Sequence, residues 1–285
     1  MDLIASLSNI SRNSLLAKIL RRKTGKVGVA LILAIFFIIF IGPLTTPYDP
    51  YETDLNNRLM PPSFQHLFGT DKLGRDIFSR VVYGGRITIL IAVTSVVIAL
   101  LIGVFIGILS GYLGGRLDNI LMRITDMFMA FPSLILALAI AAMLRPGLFN
   151  VIAAIASVSW TSYARLSRAL TLQIKEEPFI EAVRSFGASD LRILFRHIFP
   201  LVLPQALTLA MLNLGGAVLT AAGLGFLGLG VPPPTPEWGL MVSEGRDIIQ
   251  DYWWVSTFPG IMIFITVLGF NLLGDAIRDA MDVRL

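Results

Sequence analysis

The sequence predicts an all-α membrane protein with six transmembrane helices, and three observations carry that expectation. Of the 285 residues 55% are hydrophobic and 15% charged, with a mean hydropathy of +0.76; an ordinary soluble domain has roughly 45–50% apolar and about 25% charged residues. The apolar residues are gathered into runs of the length a helix needs to cross a bilayer core. The basic residues lie beside those runs, which is how membrane orientation is set. That placement argues against nucleic acid as a partner, despite a formal charge of +4 and a pI near 9.6. With no cysteine, disulfides and thiolate metal sites are excluded.

Residues 1–26 read as a cytoplasmic leader, with Arg12, Lys18, Arg21, Arg22, Lys23 and Lys26 against Asp2 alone. The run 27–44 follows as the first transmembrane helix. No small-x-small cleavage site follows Ile41-Gly42-Pro43, so it is read as a retained span and not a signal peptide. Residues 45–86 form an external segment rich in turn formers, such as Pro47-Tyr48-Asp49-Pro50 and Pro61-Pro62. Within it Gly69 and Gly74 have the spacing of a phosphate-binding loop. The next residues are Arg75-Asp76 in place of the required Lys and hydroxyl, and no buried strand precedes them, so that reading fails.

Residues 87–274 hold five further spans. The second, over 87–110, places Ser95, Ala99, Gly103, Gly107 and Gly111 at intervals of four, a face almost without side chains where another helix can pack closely. After the inner turn Gly114-Gly115-Arg116, the third span covers 120–144 with a kink expected at Pro132. Arg123 and Asp126, at i and i+3, can pair there; Asp126 is either a pathway residue or half of a structural ion pair. The fourth span, 151–172, carries Ser157, Ser159, Thr161, Ser162 and Tyr163, and ends inside at Arg165 and Arg168. Its hydroxyls, Ser157 and Thr161 among them, either satisfy neighbouring backbone or line a wet translocation pathway.

The fifth span, 201–229, contains Gly223, Gly225 and Gly228 in dinucleotide-fingerprint spacing, but no strand precedes them and no acid follows in a βαβ unit. The run Pro232 to Gly239 reads as a stiff, extended outer loop. Tyr252, Trp253 and Trp254 suit an interfacial aromatic belt at the start of the sixth span. The cytoplasmic tail, 275–285, offers the pairs Asp275–Arg278 and Arg278–Asp282. In this topology most of the 23 Lys and Arg fall inside, while the acids divide almost evenly.

Between spans four and five lies a polar segment, 177–200, with Glu181, Arg184, Asp190, Arg192, Arg196 and His197 amid apolar surroundings. Pro178 suits a first helical turn, and Glu176, Glu177 and Glu181 favour the positive end of a helix dipole. Phe179, Val183 and Phe186 make an apolar stripe, Gly187 offers a left-handed exit, and Ser189 can cap a second helix. So short a helix is marginal in water, so the stripe needs a partner surface: a protein groove or lipid headgroups.

Glu181-Ala182-Val183, then Gly187, then Pro200 resembles the Glu-Ala-Ala loop of permease subunits in binding-protein-dependent ABC importers; Val183 stands where a second Ala is usual, and His197 where Ile is common. The stretch Phe68 to Arg80, the following Gly84-Gly85-Arg86 and the C-terminal GDAIRDAMDVRL resemble the C-type permeases of dipeptide, oligopeptide and nickel importers. The resemblance extends over residues 27–285.

This resemblance implies a type I ABC importer permease fold and a non-catalytic subunit forming half of a solute pathway. It implies that Phe179, Glu181, Ala182, Val183, Phe186 and Gly187 belong to a coupling helix that docks on a cytoplasmic ATPase. The implied partners are a homologous second permease subunit, two cytoplasmic ATPase subunits, an external solute-binding protein and membrane lipid. ATP and Mg would sit on the ATPases, with no cofactor or metal on this chain. The implied location is a bacterial or archaeal inner membrane, with multiple passes and both termini cytoplasmic. Di- or oligopeptides are the expected solutes, with nickel or another metal chelate as the alternative. His66 and His197 fall on opposite sides and form no midmembrane cluster. An ion-coupled secondary transporter would need a midplane acid, whereas Asp126 and Asp275 lie near the inner boundary. A membrane scaffold would explain the glycine face but not the projecting amphipathic loop.

Overall fold

The computed structural model describes residues 15–281. The expected Arg278–Asp282 pair and the leader residue Arg12 lie outside the described residues. The elements are helices: α1 (Leu15–Arg21), α2 (Lys23–Thr45), α3 (Ile77–Leu113), α4 (Gly115–Met129), α5 (Ser133–Leu144), α6 (Leu148–Lys175), α7 (Pro178–Ser185), α8 (Asp190–Ile193), α9 (Phe199–Phe226), α10 (Trp238–Gly245) and α11 (Trp254–Met281). One π-helical turn, Leu194–Ile198, joins α8 to α9. Among the described residues, strand-like pairing amounts to the isolated bridge between Thr70 and Asp76.

Among the described residues, four segments are long and apolar enough to cross a membrane: Lys23–Thr45, Ile77–Leu113, Asp190–Phe226 and Trp254–Met281. A fifth arises if α4 and α5 are one span, but they meet at 91°. The expected kink over 120–144 is therefore a break. Pro132 takes φ −56 and ψ 124, outside the helical region, and proline also drives the residue before it out of the helix. The span expected over 151–172 is α6, 28 residues long. Its hydroxyls and the cations near its C-terminal end keep it below the hydropathy of the other four, so six spans are not reproduced by length and composition.

The chain divides into two compact units, one of residues up to Ala92 and from Met211, the other Val93–Ala210. In the first, α2 packs on α11 so closely that a Cβ on Gly28 would lie 2.7 Å from the Leu273 nitrogen. Ile19 of α1 is buried with Ala276 and Ala280 of α11. Arg22, the residue between α1 and α2, pairs with Asp279 of α11, where the sequence suggested Asp275 and Arg278.

The segment between α2 and α3 is held by buried charge. Gly69 and Gly74 take φ +75 and +76, folding a tight loop around Asp71. Asp71 accepts from the Leu73 and Arg75 backbone nitrogens at 2.8 and 3.0 Å and from the Arg75 guanidinium at 2.7 Å. Arg75 and Arg80 both reach Glu244 as well. Buried ions persist only when paired in this way.

Helix α3 begins ten residues before the expected span because Gly84 and Gly85 lie inside it. A Cβ on Gly85 would meet the Trp238 ring at 2.6 Å. Trp238 is fully buried and donates to the Val81 carbonyl at 2.8 Å. The run expected to be an extended loop to Gly239 thus ends in a helix start capped by Glu237, which accepts from the Gly239 and Leu240 nitrogens. The aromatic-belt expectation also changes: Trp254 is buried and donates to the Thr70 carbonyl at 3.3 Å, whereas Trp253 is exposed.

Candidate coupling surface

All of the candidate site residues lie in the second unit. Helix α7 starts with Pro178 in its first turn and carries Glu181 early and Arg184 late, both favourable to the helix dipole. It ends in a Schellman arrangement: Gly187 N–H donates to the Arg184 carbonyl at 2.9 Å and Ala188 N–H to the Val183 carbonyl at 3.3 Å. Gly187 takes φ +80, the left-handed exit expected from the sequence. Ser189 occupies the N-cap of α8 but makes no side-chain cap bond.

One face of α7 looks inward through Ile180, which is 1% exposed. The predicted stripe runs beside that face, with Val183 one turn from Ile180. Phe179 is exposed, Val183 half-buried, and Phe186 is 92% exposed. Glu181 and Ala182 are exposed beside it. Val183, Phe186 and Ala188 share an open concavity with Arg192, Arg196 and His197, so an apolar floor is rimmed by basic groups.

Behind α7 lies a polar framework that sequence reasoning missed. Asp118 of α4 accepts both arms of Arg168 of α6, at 2.6 and 2.7 Å, and also the Ser110 hydroxyl of α3. Lys175, the last residue of α6, donates to the Gly111 carbonyl at 3.1 Å, satisfying an acceptor at the end of α3. Tyr112 of α3 accepts from Arg184 at 3.3 Å and donates to Asp190. No periodicity marks such pairs, which, apart from Ser110 with Asp118, are separated by 50 to 78 residues. The one available signal was the glycine row, which pointed to a close neighbour for α3 without naming it.

That neighbour is α6. A Cβ on Gly103 would lie 2.3 Å from the Trp160 carbonyl oxygen, one on Gly107 2.3 Å from that of Ala164, and one on Gly111 2.9 Å from that of Arg168. The three pathway candidates are less unified. Asp126 pairs with Arg165 at 2.7 Å, not with Arg123, because the α6 guanidinium reaches it across the helix interface. Thr161 is buried and donates to the Val158 carbonyl at 3.1 Å, while Ser157 is half-buried. None of the three bonds another.

A family model described as binding-protein-dependent transport system inner membrane component matches residues 103–285. A second, the N-terminal TM domain of oligopeptide transport permease C, matches residues 15–62. The chain is 44% identical to a di/tripeptide transport system permease protein of Pseudomonas aeruginosa, covering 90% of this chain and 87% of that one. It is 46% identical to a probable D,D-dipeptide transport system permease protein of Escherichia coli, with coverage of 90% and 86%. It is 47% identical to a glutathione transport system permease protein of Salmonella typhimurium, with coverage of 93% and 88%. The solved inward-facing MetNI methionine ABC transporter matches with a TM-score of 0.58 at 21% identity, over 71% of this chain and 96% of that one, a likeness of fold.

Proposed function

Because the chain belongs to the binding-protein-dependent transport system inner membrane components, a family of multi-pass, non-catalytic permease subunits, we propose that it imports di- or oligopeptides at the expense of ATP hydrolysed by partner chains. Helix α7 and the turn after it are the coupling surface: Phe179, Val183 and Phe186 insert into an ATPase groove, with Glu181 and Ala182 flanking them and Gly187 setting the exit. The carrying observation is that Phe186, 92% exposed, sits on a turn in which the N–H groups of Phe186, Gly187 and Ala188 all donate to carbonyls of α7. A large apolar side chain held in the open by a closed backbone turn suits an interface anchor.

A homologous second permease subunit, two ATPase subunits holding ATP and Mg, and an external binding protein complete the assembly. Both termini face the cytoplasm. The named relatives carry peptides or glutathione, so a nickel or metal-chelate solute has no support among them. Asp126, Ser157 and Thr161 remain the pathway residues we assign to this half of the channel.

Purification of the complex from a bacterial membrane tests the reading. The chain should bring down an ATPase, and vesicles containing the complex should accumulate dipeptide only with ATP. Phe186→Asp should release the ATPase, since removing a buried aromatic anchor commonly costs about 2 kcal/mol or more. Undiminished copurification would instead put the stripe against lipid.

A further inference from the structure

We infer that Tyr112 is a positioning residue that locks the coupling helix to the inner end of α3, so that α7 moves with the α3–α6 pair and does not swivel on its tether. This inference rests on the proposal that α7 is the ATPase-facing helix. The tether is short: α6 ends at Lys175 and α7 begins at Pro178, leaving Glu176 and Glu177 between them. Two linking residues transmit position but leave rotation free.

Tyr112 removes that freedom. Its hydroxyl accepts from Arg184, near the end of α7, at 3.3 Å and donates to Asp190, the first residue of α8. The Arg184 guanidinium also lies over the Tyr112 ring, 5.9 Å from its centre. One side chain of α3 thus holds both ends of the turn that contains Gly187. The inner end of α3 is itself immobilised, by the Gly111 contact with α6, by Lys175 on the Gly111 carbonyl, and by Ser110 on the Asp118–Arg168 pair. A displacement imposed on α7 therefore passes through Tyr112 into a glycine-faced helix pair that has no slack to absorb it. Without the hydroxyl, Arg184 and Asp190 can still pair with each other, closing the turn but releasing it from α3.

The test uses the whole complex in vesicles, with peptide uptake and ATP hydrolysis measured together. Tyr112→Phe should lower peptide taken up per ATP hydrolysed by roughly three- to tenfold, the worth of one net hydrogen bond expressed as a ratio. Leu117→Ala, an exposed neighbour outside the bridge, should leave the ratio at wild type. Because the chain has no cysteine, nitroxides placed on Leu113→Cys and Ser185→Cys of this subunit before its partners are added report the α3–α7 distance. Its distribution should broaden in Tyr112→Phe, and the melting temperature should stay within a few degrees of wild type. Asp190→Ala, which leaves the Tyr112 hydroxyl without this acceptor, should lower the ratio similarly, and the double variant should fall no further than either single one. An unchanged ratio and distance distribution in Tyr112→Phe, or additive losses in the double variant, would overturn the inference. Failure of the wild-type chain to bind an ATPase or to support uptake would instead overturn the proposed function.

Discussion

At Gly187 the constraint is the backbone and not the space around it. A Cβ there would meet nothing within 4 Å, yet φ is +80, where a side chain costs roughly 1–2 kcal/mol. Gly187→Asn should therefore keep coupled uptake, since Asn tolerates this region, while Gly187→Leu should reduce it with the subunit still in the membrane. Equal coupled uptake in the two variants would show that the turn is not held in this shape. Glu237 poses the opposite problem, a carboxyl almost without solvent. Burial pushes its pKa above the ordinary 4.5, although the Gly239 and Leu240 nitrogens and the Thr88 hydroxyl oppose the rise. The Thr88 oxygen lies 3.1 Å from both the Gly84 carbonyl and Glu237, and its one hydrogen can serve only one of them. If it serves the helix, a protonated Glu237 donates to Thr88. The folded chain then keeps a proton that the unfolded chain has lost. This group's contribution to stability is complete at pH below 4.5 and declines as pH rises through the raised value. Melting of the purified protein across pH should show that decline. Glu237→Gln should flatten it while lowering the acid plateau, because an amide nitrogen cannot accept from the Gly239 nitrogen.

Among the elements, α3 and α6 approach each other closely along a row of three glycines. In lipid, helices gain little from excluding water, so close backbone approach carries their association. Gly107→Leu must displace the Ala164 carbonyl and the Ser167 Cβ, which a Cβ would approach to 2.3 and 2.7 Å. Overpacking of this kind costs roughly 1–3 kcal/mol or more. Ile106→Leu, at a half-buried position beside it, conserves volume and should be tolerated. Thermal stability in detergent should separate the two variants, and equal melting would mean that the glycine row makes no close contact. The row was legible in the sequence as a period of four; its partner was not, because α6 meets it with the carbonyl oxygens of Trp160, Ala164 and Arg168 and the Cβ atoms of Tyr163, Ser167 and Thr171, residues of mixed size and polarity. Helix α7 shows the converse. Its outward stripe was legible because exposure leaves the apolar period intact, but Ile180, the residue that seats the helix, was missed because a single inward side chain has no period.

For the whole molecule, orientation is the testable property. The proposed topology puts Phe64 outside and Ser185 inside, both exposed, and the absence of cysteine makes single-cysteine labelling clean. In intact cells a membrane-impermeant maleimide should label Phe64→Cys directly and Ser185→Cys only after permeabilisation; the reverse pattern would invert the topology. What the sequence determined by itself was the class of molecule. Apolar runs, flanking cations and the Glu181 to Gly187 turn are local signals, since crossing a bilayer and ending a helix depend on nearby residues alone. Tertiary structure decided the rest. It turned Trp254 from a lipid-facing belt into a buried donor to Thr70, exchanged Arg123 for Arg165 as the partner of Asp126, and made the Gly69–Gly74 spacing a cradle for the Asp71, Arg75, Arg80 and Glu244 charges. Each of these depends on a pairing between distant helices, and a buried charge or indole takes whichever partner packing brings within hydrogen-bond reach, which no spacing along the chain encodes.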